Sequence, residues 1–301
     1  MACGPARMRH GRPITRPYPG MSDLWPVGMD TFTHGRITMA VRLYGHGPLP
    51  MLAFHGFGRT GSDFVVLAPA LAHRCTIHAF DLPFHGQSPA PGGDGPITPE
   101  EWAAYIRAYV LHIGASTVGL LGYSLGGRLA LVLMEQCPEL LANAFLLAPD
   151  GLVVSPWYRG MVRHAWGRRL YQRFIQRPRL VHGLVRLLHR THLLHDRLYR
   201  FLMEQTATPA IRQLVYDVWN DMRLLEPDLA RVGAQLQAHE IRVHLLLGRH
   251  DKVIKPGTGG RLQSEAPAWV RIHLLPTGHR MLTRETGLFM AGLMQGDEAA
   301  R

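Results

Sequence analysis

Short apolar runs alternate with stretches of helical spacing along most of this chain. Arg36–Tyr44 alternates, with Ile37, Met39, Val41 and Leu43 set against polar partners, and predicts a strand. Pro50–Phe54, Cys75–Phe80, Thr117–Leu121, Asn143–Ala148, Ile241–Leu247 and Trp269–Leu275 are short apolar runs that predict buried strands. Helical spacing fills Ser62–Ala72, a segment from Thr98 to about Ile113, and Leu125–Cys137, which stops before Pro138. Thr98-Pro99-Glu100-Glu101 is a helix start, with an N-cap threonine, proline at the first helical position and a carboxylate at the third. From Trp157 to Asn220 only helical patterns appear. Strands alternating with helices predict an α/β fold, a mostly parallel sheet flanked by helices, and the uninterrupted helical stretch reads as an insertion. The expected organisation is a poorly ordered tail over 1–28, an α/β core over 29–150 and 236–301, and a helical cap over 151–235. The tail is rich in Pro, Gly and Arg, with Met21 and Met29 as alternative starts.

Composition narrows the class. The chain has 301 residues, 47% hydrophobic and 18% charged, which fits one globular domain or one domain with an insertion and excludes a disordered chain. No apolar run approaches the roughly 18–20 residues that span a bilayer. Met1–Gly20 has no apolar segment of the secretory kind. Cys3, Cys75 and Cys137 are too few and too scattered for a disulfide scaffold or a cysteine zinc site, so a cytoplasmic location is expected.

The net charge of +11 is unevenly placed. Residues 1–20 hold four arginines and no acid, and residues 151–200 hold eleven arginines against the single Asp196. The remainder is slightly acidic. A protein that coats nucleic acid with a basic surface would not concentrate its charge in this way, so no nucleic-acid partner is expected.

The sharpest chemical signal is Gly122-Tyr123-Ser124-Leu125-Gly126-Gly127, set between a predicted strand and a predicted helix. A nucleophile there sits on a sharp turn that crowds the residues two before and two after it, and glycine at both positions removes the clash. The turn would lift the Ser124 hydroxyl to the top of the sheet and leave the Leu125 N–H facing a developing oxyanion.

Several further motifs follow in order, and together with this turn they resemble the α/β-hydrolase superfamily, over roughly residues 30–295. His55-Gly56-Phe57-Gly58 is similar to the family's loop after the third strand, where the Phe57 N–H would be the second oxyanion donor. Asp81-Leu82-Pro83-Phe84-His85-Gly86-Gln87-Ser88 resembles the D-x-P-G-H-G-x-S segment after the fourth strand, with Phe84 where glycine is usual. Gly248-Arg249-His250-Asp251 resembles the turn that carries the acid, and Thr277-Gly278-His279 the turn that carries the base. The resemblance implies an α/β-hydrolase fold with a helical cap, and the residue set Ser124, Asp251 and His279, with Phe57 and Leu125 as the oxyanion hole. The sequence shows no H-E-x-x-H and no cysteine cluster, so no metal and no cofactor is expected.

A serine hydroxyl attacks only when a base takes its proton, and His279 oriented by Asp251 would serve. The implied reaction is hydrolysis of a carboxylic ester of a small or lipid-like acyl substrate through an acyl-enzyme. C–C bond hydrolysis of the meta-cleavage type, thioester hydrolysis and cofactor-free perhydrolysis keep the same fold, and a non-catalytic receptor or scaffold is the rival from another class. Asp150 competes with Asp251 for the acid, although Asp150-Gly151 is more simply a turn. His55 and His85 read as residues that pin loops to backbone. Gly56-Phe57-Gly58-Arg59-Thr60-Gly61 fits a nucleotide-binding expression literally, but its position after a strand in the oxyanion loop favours the hydrolase reading. His189, His192 and His195 have ligand-like spacing without a carboxylate to support them. The arginine-rich segment leaves two readings open. Either it packs an apolar face on the site and solvates its arginines, or its outer face meets an anionic membrane or an anionic substrate.

Overall fold

The fold is given by a computed structural model that describes residues 28–153, 159–160, 163–176, 178–192, 199, 203 and 207–299. The tail expected over residues 1–28 therefore lies outside the described residues except for Gly28. Eight strands form one sheet: β1 (Met29–His34), β2 (Ile37–Tyr44), β3 (Leu49–Phe54), β4 (Cys75–Phe80), β5 (Val118–Tyr123), β6 (Leu141–Leu147), β7 (Arg242–Gly248) and β8 (Val270–Leu275). Their spatial order is β1-β2-β4-β3-β5-β6-β7-β8. β1 and β2 pair antiparallel, β2 meets β4 antiparallel, and every other neighbour is parallel.

The two faces of the sheet follow from the period-two alternation of its strands. Leu52, Phe54, Phe80, Leu120, Leu146 and Leu245 belong to one buried cluster. Their immediate neighbours Met51, Ala53, Ala79, Leu121, Leu147 and Leu246 belong to the other. Both clusters need a helical cover, and this is why these strands are nearly continuous apolar runs. On the first face lie α2 (Pro99–His112) and α3 (Leu125–Gln136). On the second lie the short α1 (Ala68–Leu71) and the C-terminal helix, which contributes Met290 and Met294.

The capping box at α2 forms as the sequence requires. The Glu101 N–H donates to Thr98 Oγ1 at 3.2 Å and the Thr98 N–H donates to Glu101 Oε2 at 2.9 Å. Ser62–Ala72 is not one helix but a 3₁₀ turn over Gly61–Val66 followed by the single turn of α1 (Ala68–Leu71), which has Pro69 in its first turn. Two elements escaped the hydrophobic pattern. β1 is an edge strand with Phe32 as its one partly buried residue, so it has no alternation to read. The C-terminal helix spans Arg284–Ala299.

Between β6 and β7 come α4 (Ala165–Gln176), α5 (Pro178–Arg190), α6 (Pro209–Asp221) and α7 (Leu229–Ala238), followed after β7 by α8 (Gly260–Glu265) and then α9, the C-terminal helix. The expected cap boundary at residue 235 falls inside α7, whose Val232 and Leu236 are buried in the first core cluster. Val218, Met222 and Leu225, at and beyond the end of α6, join the same cluster. Among the described residues no helix is long and apolar enough to cross a membrane.

Candidate active site

The carboxyl ends of the parallel strands carry every motif residue singled out by sequence. Ser124 follows β5, His55 follows β3, Asp81 follows β4, Asp251 lies three residues beyond β7 and His279 four beyond β8. In open α/β sheets this edge is where side chains from separate strands converge.

Ser124 has φ 52° and ψ −113°, a backbone state forced by the change from strand to helix. Its glycine neighbours are steric requirements. A Cβ on Gly122 would stand 2.7 Å from Gly127 Cα, and a Cβ on Gly126 would collide with the Phe54 carbonyl. The turn is tied to the loop after β3, because the Gly126 N–H donates to His55 O at 3.0 Å. A Cβ on Gly56 would lie 3.2 Å from Ser124 Cβ, so that loop passes directly over the serine. The N–H groups of Phe57 and Leu125 have no acceptor among the described residues.

Three side chains form one hydrogen-bonded series. His279 Nδ1 donates to Asp251 Oδ2 at 2.8 Å, which leaves His279 Nε2 as the acceptor for the Ser124 hydroxyl at 3.2 Å. The other carboxylate oxygen, Asp251 Oδ1, accepts the N–H groups of Val253 at 2.7 Å and Ile254 at 3.0 Å. Both oxygens are thus committed, and the carboxylate is fixed in the orientation that His279 needs. The two turns that carry these residues are joined: the His250 N–H donates to Thr277 O at 2.9 Å.

Asp150 does not reach His279. It pairs with Arg128, and its Oδ1 accepts the Gly151 N–H at 2.7 Å, closing a turn in which Gly151 has φ 94°.

His55 and His85 hold loops. His55 is fully buried, donates from Nδ1 to Gly56 O at 2.7 Å and accepts the Leu82 N–H on Nε2 at 2.9 Å. Burial, reinforced by His85, pushes its pKa down to about 3, so it is neutral. His85 accepts the Gly58 N–H at 3.0 Å and donates to Pro83 O at 2.9 Å; burial lowers its pKa too.

Asp81 is the hub of the adjoining segment. It accepts Arg42 at 2.5 Å, the Gly61 N–H at 2.7 Å and the Gln87 N–H at 2.9 Å. Burial alone would raise its pKa, but these donors outweigh burial and hold it low. The amides of Gly58 and Gly61 are therefore already used by His85 and Asp81, and the glycine-rich expression around them has no free cradle for a phosphate. Phe84, where glycine is usual in the resembling segment, has φ 68°, the left-handed region that favours glycine.

The family model for the alpha/beta hydrolase fold matches residues 50–282. The chain belongs to the α/β-hydrolase fold family.

It is 26% identical over 227 residues to the dihydrolipoyllysine-residue acetyltransferase component of the acetoin cleaving system of Pseudomonas putida, covering 73% of this chain and 54% of that protein. It is 34% identical over 130 residues to the pimeloyl-[acyl-carrier protein] methyl ester esterase of Aeromonas hydrophila, covering 43% and 46%. The chain thus spans about half the length of these curated relatives. Among solved structures, a thermophilic esterase from Thermogutta terrifontis superposes with a TM-score of 0.63 at 20% identity, covering 91% of this chain and 99% of that one.

One site residue of this α/β-hydrolase chain was not found by sequence reasoning. Tyr123 donates its hydroxyl to His279 O at 3.1 Å, and its ring lies 5.6 Å from the His279 ring. Its position directly before Ser124, at the end of an apolar strand, was the available signal. Of the histidines with ligand-like spacing, His195 lies outside the described residues, and His189 stacks on Tyr199.

Proposed function

We propose that this α/β hydrolase is a serine esterase that cleaves a carboxylic ester of a small or lipid-like acyl substrate through an acyl-enzyme. The observation that carries the reading is His279 placed between Ser124 and Asp251, at 3.2 and 2.8 Å. In this mechanism Nε2 of His279 takes the Ser124 proton as the oxygen attacks the ester carbonyl. Asp251 holds the imidazole in the productive tautomer and stabilises the imidazolium that forms. The negative oxygen of the tetrahedral intermediate lies between the Phe57 and Leu125 N–H groups, and one such donor contributes about 3 kcal/mol to the transition state. The imidazolium then protonates the departing alcohol, and water repeats the sequence to release the acid. Tyr123 acts as a positioning residue through the His279 carbonyl.

The relative named as a methyl ester esterase supports an ester substrate. The test is labelling by a fluorophosphonate together with turnover of p-nitrophenyl esters of increasing chain length. Wild type is expected to label and to hydrolyse esters, and Ser124→Ala to do neither. A wild-type protein that neither labels nor turns over any ester would overturn the reading.

A further inference from the structure

Helices α4 and α5 carry a surface that the chemistry at Ser124 does not use. Trp166 and Leu170 stand one turn apart on α4 and are 61% and 52% exposed, and Leu187 on α5 is 57% exposed. Exposed arginines stand on the same two helices: Arg169 and Arg173 on α4, and Arg179, Arg186 and Arg190 on α5. Elsewhere in the inserted region arginines find carboxylates, as Arg159 and Arg163 do with Glu226. Among the described residues Arg169, Arg173, Arg179 and Arg190 have no such partner. The sequence has no acidic residue between Asp150 and Asp196.

We infer that this surface docks on an anionic lipid bilayer, with the arginines on headgroup phosphates and Trp166, Leu170 and Leu187 in the acyl boundary. A bilayer uses both halves of the pattern, because it offers negative charge at its surface and an apolar layer directly beneath. A nucleic acid would use the arginines and stack on the tryptophan, but it gives exposed leucines no apolar layer to enter. A second copy of this chain would set one arginine face against another, and like charges facing each other oppose association. The inference does not depend on the reaction proposed above, since docking is read by binding and not by turnover.

The test is flotation of the full chain with phosphatidylcholine vesicles and with vesicles containing about one third phosphatidylglycerol, at low and at high salt. The protein is expected to float with the anionic vesicles at low salt, and to be released by high salt, since surface attraction is screened within a Debye length. The combined variant Arg169→Gln, Arg173→Gln, Arg179→Gln, Arg190→Gln should lose about tenfold or more of its partition, as each basic side chain contributes measurably near an anionic surface. Trp166→Ala with Leu170→Ala should also lose partition, at unchanged charge. The far-UV circular dichroism spectrum and the urea midpoint, measured in parallel, are expected to be unchanged in both variants and report that they are folded. Equal flotation with neutral vesicles, or flotation unaffected by the arginine variant, would overturn the inference. So would binding to polyuridylic acid as tight as to anionic vesicles, or a concentration-dependent dimer that the Trp166 and Leu170 substitutions abolish.

Discussion

Ser124 holds a backbone conformation that glycine adopts freely and other residues do not, and its side chain makes no cap hydrogen bond to α3. The strain belongs to the placement of Ser124 at the turn, the proposed nucleophile, and it can be separated from the loss of the hydroxyl. Ser124→Ala removes the oxygen and keeps the strain, whereas Ser124→Gly removes both. We expect Ser124→Gly to be more stable than Ser124→Ala by about 1–3 kcal/mol in urea denaturation, with both variants inactive. Equal stabilities would argue that the turn is relaxed. The acid assignment is also decided at single residues. Asp251→Asn should lower kcat about 10⁴-fold, because the amide cannot hold the required His279 tautomer. Asp150→Asn, which breaks only the contact with Arg128, should leave kcat within a few fold while lowering stability. The reverse pattern in steady-state kinetics would move the acid to Asp150.

At the scale of elements, strongly patterned segments were legible. The strands predicted at Cys75–Phe80 and Pro50–Phe54 match β4 and β3 almost residue for residue, because a short, mostly apolar run must be buried on both sides. The α2 start was legible because a capping box is a local chemical device that acts within four residues. β1 was not legible, since its one partly buried side chain finds its partners on α2: Phe32 packs against Tyr105 and Tyr109 with ring centroids 5.4 and 5.2 Å away. α9 was missed for a related reason. Its value lies in covering a sheet face, where Met290 is fully buried and Met294 nearly so. Met290→Ala should therefore cost about 2–5 kcal/mol of stability, as large-to-small changes in a packed core do. A shift in the urea midpoint equivalent to less than about 0.5 kcal/mol would show that α9 does not complete the second core.

For the whole molecule, buried neutral histidines set the response to acid. His55 and His78 have pKa values pushed by burial down to about 3 and about 4. In the unfolded chain each titrates near 6.5. Below that value the unfolded state binds protons that the folded state refuses, so stability is complete above about pH 6.5 and falls as pH drops toward 4. The two together should remove on the order of 4 kcal/mol between pH 7 and pH 5, read as a falling denaturation midpoint. A midpoint unchanged over that interval would mean that both histidines charge in place. The sequence alone determined the α/β class, the order of the motifs and the identity of the residues on them, because burial periodicity and turn sterics are local and leave their mark on adjacent positions. Tertiary structure decided the rest. It placed β4 between β2 and β3, chose Asp251 over Asp150 as the partner of His279, gave Tyr123 its contact with the His279 carbonyl, and left Trp166, Leu170 and Leu187 facing water. These are contacts between residues far apart in the chain, and no local pattern encodes a distance across the sheet.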